Sequence, residues 1–210
     1  IGSGKSTVLK LATGLFHADE GTVLVDGTDI RQIDPADLRR NMGCVPQDPM
    51  LFFGSLRDNI VMGSPFAYDN EVLKAASISG VDEFAVSHPK GFDMSIGEQG
   101  RGLSGGQRQA VAISRAVLSD PPVILMDEPT SVMDNGSEER FISKMKKYLT
   151  GKTFVLVTHR NSLLKLVDRV IVISDGKVAQ DSTVSEMLHR LAKKGAGKPV
   201  QTPNRHVSEG

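Results

Sequence analysis

The chain has 210 residues, of which 39% are hydrophobic, enough for one domain with a sizeable core. Lys plus Arg and Asp plus Glu number 25 each, so the formal charge is zero and nothing global favours binding to nucleic acid. The single Cys44 excludes an intramolecular disulfide, and no apolar run approaches the roughly 20 residues that a membrane-spanning helix needs.

Ile1-Gly2-Ser3-Gly4-Lys5-Ser6-Thr7 matches the end of the phosphate-binding loop G-x-x-x-x-G-K-[ST], with Gly4, Lys5 and Ser6 in its last three positions. The first glycine of that pattern falls before Ile1, so the sequence is expected to be a piece of a longer protein, without the strand that feeds the loop. Gly2 and Gly4 let backbone N–H groups turn towards phosphate oxygens. Lys5 suits the β- and γ-phosphates of a nucleotide, and the Ser6 hydroxyl suits Mg²⁺. A helix is predicted over Val8–Ala12, closed by Gly14. Gly21 to Gly27 reads as a strand ending in an Asp26-Gly27 turn. Asp34 caps a short helix that has Pro35 at its first position. Gly43 to Pro46 reads as a brief strand with Cys44 buried in it, and Gln47-Asp48-Pro49 follows.

Residues from Leu56 to Gly102 carry helical patterns, broken at Gly80 and at Pro89-Lys90-Gly91. Leu103-Ser104-Gly105-Gly106-Gln107 then precedes a helical pattern from Arg108 to Leu118. A serine, two bare glycines and a helix N-terminus combine a hydroxyl, exposed N–H groups and the positive end of the dipole, which suits an anion. Val123 to Met126 runs apolar without alternation, as a strand buried on both faces does. It ends in Asp127-Glu128, two acids where α/β folds place their chemistry, and carboxylates there are costly unless paired with a cation or hydrogen-bonded. A helix is predicted from Ser137 to Leu149, then a buried strand over Thr153–Thr158 with His159 at its carboxyl end. Val170–Ile173 reads as another buried strand, closed by Asp175-Gly176. Val184–Ala192 reads as an amphipathic helix with Leu188 and Leu191 inward, and 193–210 as a disordered tail. His17, His88, His189 and His206 read as surface residues.

Leu103 to Gln107 spells the signature sequence of the ATP-binding-cassette (ABC) ATPases, and the chain resembles that family from residue 1 to about 192. The phosphate-binding loop, Gln47, the signature, Asp127-Glu128, Asp134 and His159 occur in the family's order. The resemblance implies an α/β fold: a RecA-like P-loop NTPase core (1–50 and 108–192), truncated at its N-terminus, with an inserted α-helical subdomain (about 51–107). It implies ATP and Mg²⁺ as ligands. Gly2, Ser3, Gly4, Lys5, Ser6 and Thr7 hold the nucleotide, and Ser104, Gly105, Gly106, Gln107 and Asp134 serve the nucleotide held by a second subunit. Asp127, Ser6 and Gln47 hold the metal; the catalytic residues are Gln47, which also touches the attacking water, Glu128, the general base, and His159, which contacts the γ-phosphate. In this family a P-loop and a signature from one chain cannot face the same nucleotide, so the expected assembly is a dimer, with a homodimer the simpler case.

Gln47 to Ile60 and the Gly97-Glu98 segment resemble exporters, with Met50 to Phe53 facing the transmembrane domain. Arg108 to Ala112 and Met133 to Arg140 resemble the permease/ATPase of bacterial type I secretion systems. That implies a place on the cytoplasmic face of the inner membrane, a transmembrane domain outside this sequence, and adaptor and outer-membrane proteins as partners. The alternative, a soluble ABC ATPase of DNA repair or translation, needs coiled-coil arms or tandem cassettes, which these residues do not contain. A catalytically dead cassette needs a replaced Lys5, Glu128 or His159, and all three are present.

Overall fold

The computed structural model describes residues 4–195. In chain order its elements are α1 (Lys5–Ala12), β1 (Leu24–Val25), β2 (Thr28–Asp29), α2 (Pro35–Arg40), β3 (Met42–Val45), β4 (Gly54–Ser55), α3 (Leu56–Val61), α4 (Asp69–Ser79) and α5 (Val81–Ala85). They continue with β5 (Ser95–Ile96), α6 (Gly105–Val117), β6 (Val123–Asp127), α7 (Asn135–Tyr148), β7 (Thr153–Val157), β8 (Arg169–Ser174), β9 (Lys177–Thr183) and α8 (Val184–Gly195). The α/β class is as expected.

The organising sheet is parallel, in the order β3-β6-β7. Cys44 pairs with Leu125, and Leu125 with Val155. β6 is central, and Ile124, Leu125, Met126 and Asp127 are all buried, which is why that strand reads as a continuous apolar run. Helix α6 lies across one face. Its approach depends on Gly43, because a Cβ there would stand 2.2 Å from the Ala116 carbonyl oxygen. α3, α4 and α5 lie between β3 and β6 in sequence, and Leu56, Ile60, Val72, Ala76 and Val81 join Val111 and Ile113 in one apolar core. Ser55 starts α3 with a reciprocal capping box: its hydroxyl accepts from Asp58 N at 3.0 Å, and its N–H donates to the Asp58 carboxylate at 2.9 Å.

Several expectations are corrected. Cys44 lies in a strand but is exposed, because its side chain leaves the sheet on the face away from Gly43 and Val45. Among the described strands β7 lies at the edge of the sheet, with Val155 38% exposed, and is not a fully buried one. β8 forms its own antiparallel pair with β9 and alternates between exposed and half-buried positions, leaving Ile171 outward. Residues 56–102 are not helical throughout: β4 pairs with β5, and 3₁₀ turns occupy Gly91–Asp93 and Glu98–Gly100. Leu188 is exposed rather than inward, and α8 runs on to Gly195, through the first residues expected in the tail. Leu191 lies beyond the described side chains; Gly2, Ser3, His206 and the rest of the tail lie outside the described residues. The Asp26-Gly27 turn is as read, with both residues at positive φ between β1 and β2.

Candidate functional site

The three parallel strands end at one edge, and each delivers a polar residue there. Gln47 follows β3, Asp127 closes β6, and His159 follows β7. The N-terminus of α1 arrives at the same edge with Gly4, Lys5, Ser6 and Thr7. These residues and Glu128 line one cleft of about 510 Å³. Open parallel sheets place ligands at this edge, outside the carboxyl ends of their strands. Ser131 and Val157 also line the cleft; neither was among the residues expected to hold the nucleotide.

The charge in this cleft is poised for a cation. Asp127 is only 7% exposed, and its Oδ1 has no hydrogen-bond partner. Glu128 is in the same condition at Oε1. His159 Nε2 stands 3.5 Å from that oxygen, close enough to feel its charge but not aligned as a hydrogen bond. Thr158 Oγ1 donates to the other Glu128 oxygen at a long 3.5 Å. Buried carboxylate oxygens left unpaired are expensive, so their persistence at a strand end marks a site rather than a scaffold. The Glu128 backbone has φ 47°, in the left-handed region that a non-glycine residue rarely visits. Such a conformation costs on the order of 1–3 kcal/mol and persists only where the surroundings enforce it. Here the Glu128 N–H continues the β7 ladder to the Val157 carbonyl at 2.8 Å, and the Ser131 N–H donates to the Glu128 carbonyl at 3.1 Å.

The signature lies elsewhere. Ser104, Gly105, Gly106, Gln107, Val132 and Asp134 line a second cleft of about 490 Å³ that shares no lining residue with the first. Ser104 caps α6, accepting from Gln107 N at 3.2 Å, while its own N–H donates to Gln107 Oε1 at 2.8 Å. The turn of Val132 lies against the first turn of α6: a Cβ on Gly105 would meet the Val132 Cβ at an ordinary contact distance of 3.4 Å. Asp134 caps α7, accepting from Ser137 N at 2.9 Å and Ser137 Oγ at 2.8 Å. The Ser137 N–H, then its hydroxyl, hold the Asp134 carboxyl below the usual carboxylate range. The structure therefore splits the sequence-predicted site residues into two groups: Gly4, Lys5, Ser6, Thr7, Gln47, Asp127, Glu128 and His159 in one cleft, and Ser104 to Gln107 with Asp134 in the other.

Between the clefts sits a residue that sequence reasoning missed. Glu138 is buried on the first turns of α7 and accepts hydrogen bonds from Thr130 Oγ1 at 2.7 Å, from Arg160 Nη1 and from Ser162 Oγ. Nothing in its local spelling separates it from the exposed Glu139 beside it. After Gln47, Leu51 packs in the core, whereas Met50, Phe52 and Phe53 are 66%, 48% and 77% exposed. Arg115 of α6 fixes that segment from below, donating to the Asn59 carbonyl at 2.9 Å and the Met50 carbonyl at 3.2 Å. Among the described residues no helix is long and apolar enough to cross a membrane.

Comparison with known proteins agrees with this geometry. A model of the ABC transporter family matches residues 1–131. The chain is 44% identical over 179 residues to the cyclolysin secretion/processing ATP-binding protein CyaB of Bordetella pertussis, covering 85% of this chain and 25% of that protein. It is 40% identical over 187 residues to the leukotoxin translocation ATP-binding protein LktB of Mannheimia haemolytica, covering 89% of this chain and 26% of that protein. The chain thus spans about a quarter of the length of these curated relatives. Its fold superimposes on a bacterial Atm1-family ABC exporter with ATP bound at a TM-score of 0.86 and 33% identity, over 97% of this chain and 36% of the other. The chain belongs to the ABC transporter family and carries its ATP-binding domain.

Proposed function

We propose that this chain is the ATP-hydrolysing domain of a bacterial exporter of the type I protein-secretion class, and that it acts as a dimer in which each copy completes the other's site. The observation that carries this is the separation of the two clefts. The phosphate-loop residues and acids of one chain lie in one cleft and its signature in another, so a nucleotide gripped by both needs two chains. Isologous pairing supplies this, each P-loop cleft facing its partner's signature.

Within the first cleft the residues divide the work. Lys5 and the N-terminus of α1 hold phosphate charge. Glu128 accepts the proton of the attacking water at its unpaired Oε1. His159, beside that oxygen, holds the γ-phosphate end in register. Asp127, Ser6 and Gln47 form a sparse set of hard oxygen donors that fits Mg²⁺, which takes few protein ligands and shares itself with phosphates; bound there, Mg²⁺ would neutralise developing phosphate charge. In the second cleft Ser104, the Gly105 and Gly106 N–H groups, Gln107 and Asp134 meet the partner's nucleotide. Hydrolysis removes the group that both halves grip, and the interface relaxes.

The core comprises 1–50 and 108–192, and about 51–107 forms the helical subdomain. Met50, Phe52 and Phe53 contact a transmembrane domain on the same full-length protein, which places this domain on the cytoplasmic face of the inner membrane, with adaptor and outer-membrane proteins as further partners. The names of the relatives above, which speak of cyclolysin secretion and leukotoxin translocation, support the type I secretion class. The test is Glu128→Gln in the full-length protein. Turnover is expected to fall by about a hundredfold or more, with ATP-bound dimers accumulating on size exclusion. Unchanged ATPase activity would refute the assigned role.

A further inference from the structure

Glu138 bridges the two clefts. Its N–H donates to the Asp134 carbonyl at 2.9 Å, so it is tied by one helical turn to the residue that faces the second cleft. Its carboxylate accepts from Thr130, the first residue of the turn that ends at Asp134; within that turn the Met133 N–H donates to the Thr130 carbonyl at 3.0 Å. On the other side Glu138 accepts from Arg160 and Ser162, which follow His159 in the chain. Arg160 reaches back as well, donating to the Met133 carbonyl at 3.3 Å and the Ser131 carbonyl at 3.5 Å, and its own N–H donates to Thr158 Oγ1 at 3.0 Å. Thr158 in turn donates to Glu128. A continuous polar chain therefore runs from Asp134 in one cleft to Glu128 and His159 in the other, through one buried carboxylate.

We propose that Glu138 and Arg160 are positioning residues that bind the Thr130–Asp134 turn and the His159–Ser162 turn into one rigid body, so that a partner's engagement of Asp134 sets the placement of His159 and Glu128. The inference rests on the dimeric ATPase reading above. A buried carboxylate that accepts three hydrogen bonds has little freedom of its own, and the bonds gathered at Glu138 make the two turns move together. A displacement at the second cleft is thus delivered to the first, where misplacement by about 1 Å can cost about a hundredfold in rate.

The experiment uses the full-length protein, with Arg160→Ala, Arg160→Lys and Glu138→Gln. Arg160→Ala leaves Glu138 its two hydroxyl donors and Glu138→Gln keeps the side chain's shape, so both variants are expected to fold, which the melting temperature checks. Steady-state ATPase is measured against ATP concentration alongside the melting temperature. Arg160→Ala and Glu138→Gln are expected to lower kcat by about tenfold or more while KM stays within about twofold. The Hill coefficient is expected to fall from well above 1 in wild type towards 1 in both variants, since a dimer with two coupled sites can approach about 2. Arg160→Lys, which keeps the charge but not the fork, restores part of kcat. A lowered melting temperature with kcat and Hill coefficient at wild-type values overturns the proposal and leaves a structural staple. A wild type that hydrolyses ATP without cooperativity overturns it too. Absence of ATPase activity in wild type would instead remove the functional reading on which it rests.

Discussion

The two clefts hold similar kinds of residue in opposite states. In the first, carboxylate oxygens of Asp127 and Glu128 are buried and unpaired, and the Glu128 backbone sits in a strained conformation. In the second, every polar side chain named is exposed or half-buried and already satisfied locally, Ser104 with Gln107 and Asp134 with Ser137. The first stores electrostatic imbalance that a cation and a phosphate chain would relieve. The second is a finished surface, offering N–H groups at a helix start without rearrangement. On the proposed reading, chemistry and recognition fall to different regions of one chain, and a dimer would reunite them.

The largest expected effect breaks the first cleft alone. Asp127→Asn removes the charge whose Oδ1 is unpaired, and ATPase activity is expected to fall by about a hundredfold or more. Its buried site also becomes cheaper to desolvate, so the melting temperature in the absence of nucleotide should hold or rise. Retained Mg²⁺-dependent turnover in this variant would remove the imbalance argument.

A mixing experiment sharpens the division between the clefts. Glu128→Gln disables the first cleft, and Ser104→Arg puts bulk and charge on the second. Each homodimer is expected to be inactive. In a mixed dimer the two lesions fall in the same composite site and leave the other site whole. Random mixing makes about half of the dimers mixed, each with one whole site, so about a quarter of wild-type activity should return. No recovery on mixing, with dimers shown to exchange, would mean that each chain completes its own site.

The strand ends were legible because their pattern is chemical as well as periodic. Val123 to Met126 reads as a buried strand, and an acid pair after it, with the phosphate loop and signature in the same chain, reads as functional rather than solvated. The signature was legible because the whole string Leu103 to Gln107 matches a family spelling; a serine and two glycines at a helix start alone more often mark a capping loop. What escaped was whatever depends on a neighbour distant in sequence. Ile171 reads as buried by its apolar run, yet among the described strands β8 pairs with β9 alone. Cys44 reads as core, yet alternation along β3 sends it to the uncovered face. Glu138 carries no spelling that distinguishes it from Glu139, and its three donors come from residues 8 to 24 positions away.

The seam between the regions offers a smaller test. Gly43→Ala would push a methyl group to 2.2 Å from the Ala116 carbonyl oxygen on α6, the helix whose start is the signature. A backbone atom cannot swing aside as a side chain can, so β3 and α6 must separate. The expected loss is about 2 kcal/mol, or about 4–8 °C in melting temperature. Because α6 shifts as a rod, activity at a temperature well below melting should fall as well, which a loss of stability alone does not require.

The smallest expected effect is a pH dependence at the bridge. Burial pushes the Glu138 carboxyl up, but the bonds from Ser162, Thr130 and Arg160 and the Arg160 charge outweigh it and hold the group below the ordinary carboxylate range. With the folded-state value below the unfolded one, near 4.3 for a free glutamate, Glu138 contributes stability that is fully present above about pH 4.3 and is lost as pH falls through the lower folded-state value. Glu138→Gln lacks that titration and keeps the shape. Its cost at pH 7, about 1–3 kcal/mol, should therefore shrink as urea midpoints are compared at successively lower pH. Asp134, also held low, titrates in both proteins and cancels in the difference. A gap between wild type and variant that stays constant from pH 7 to pH 3 would mean that the Glu138 charge contributes nothing beyond its hydrogen bonds, and the bridge would then be a matter of shape alone.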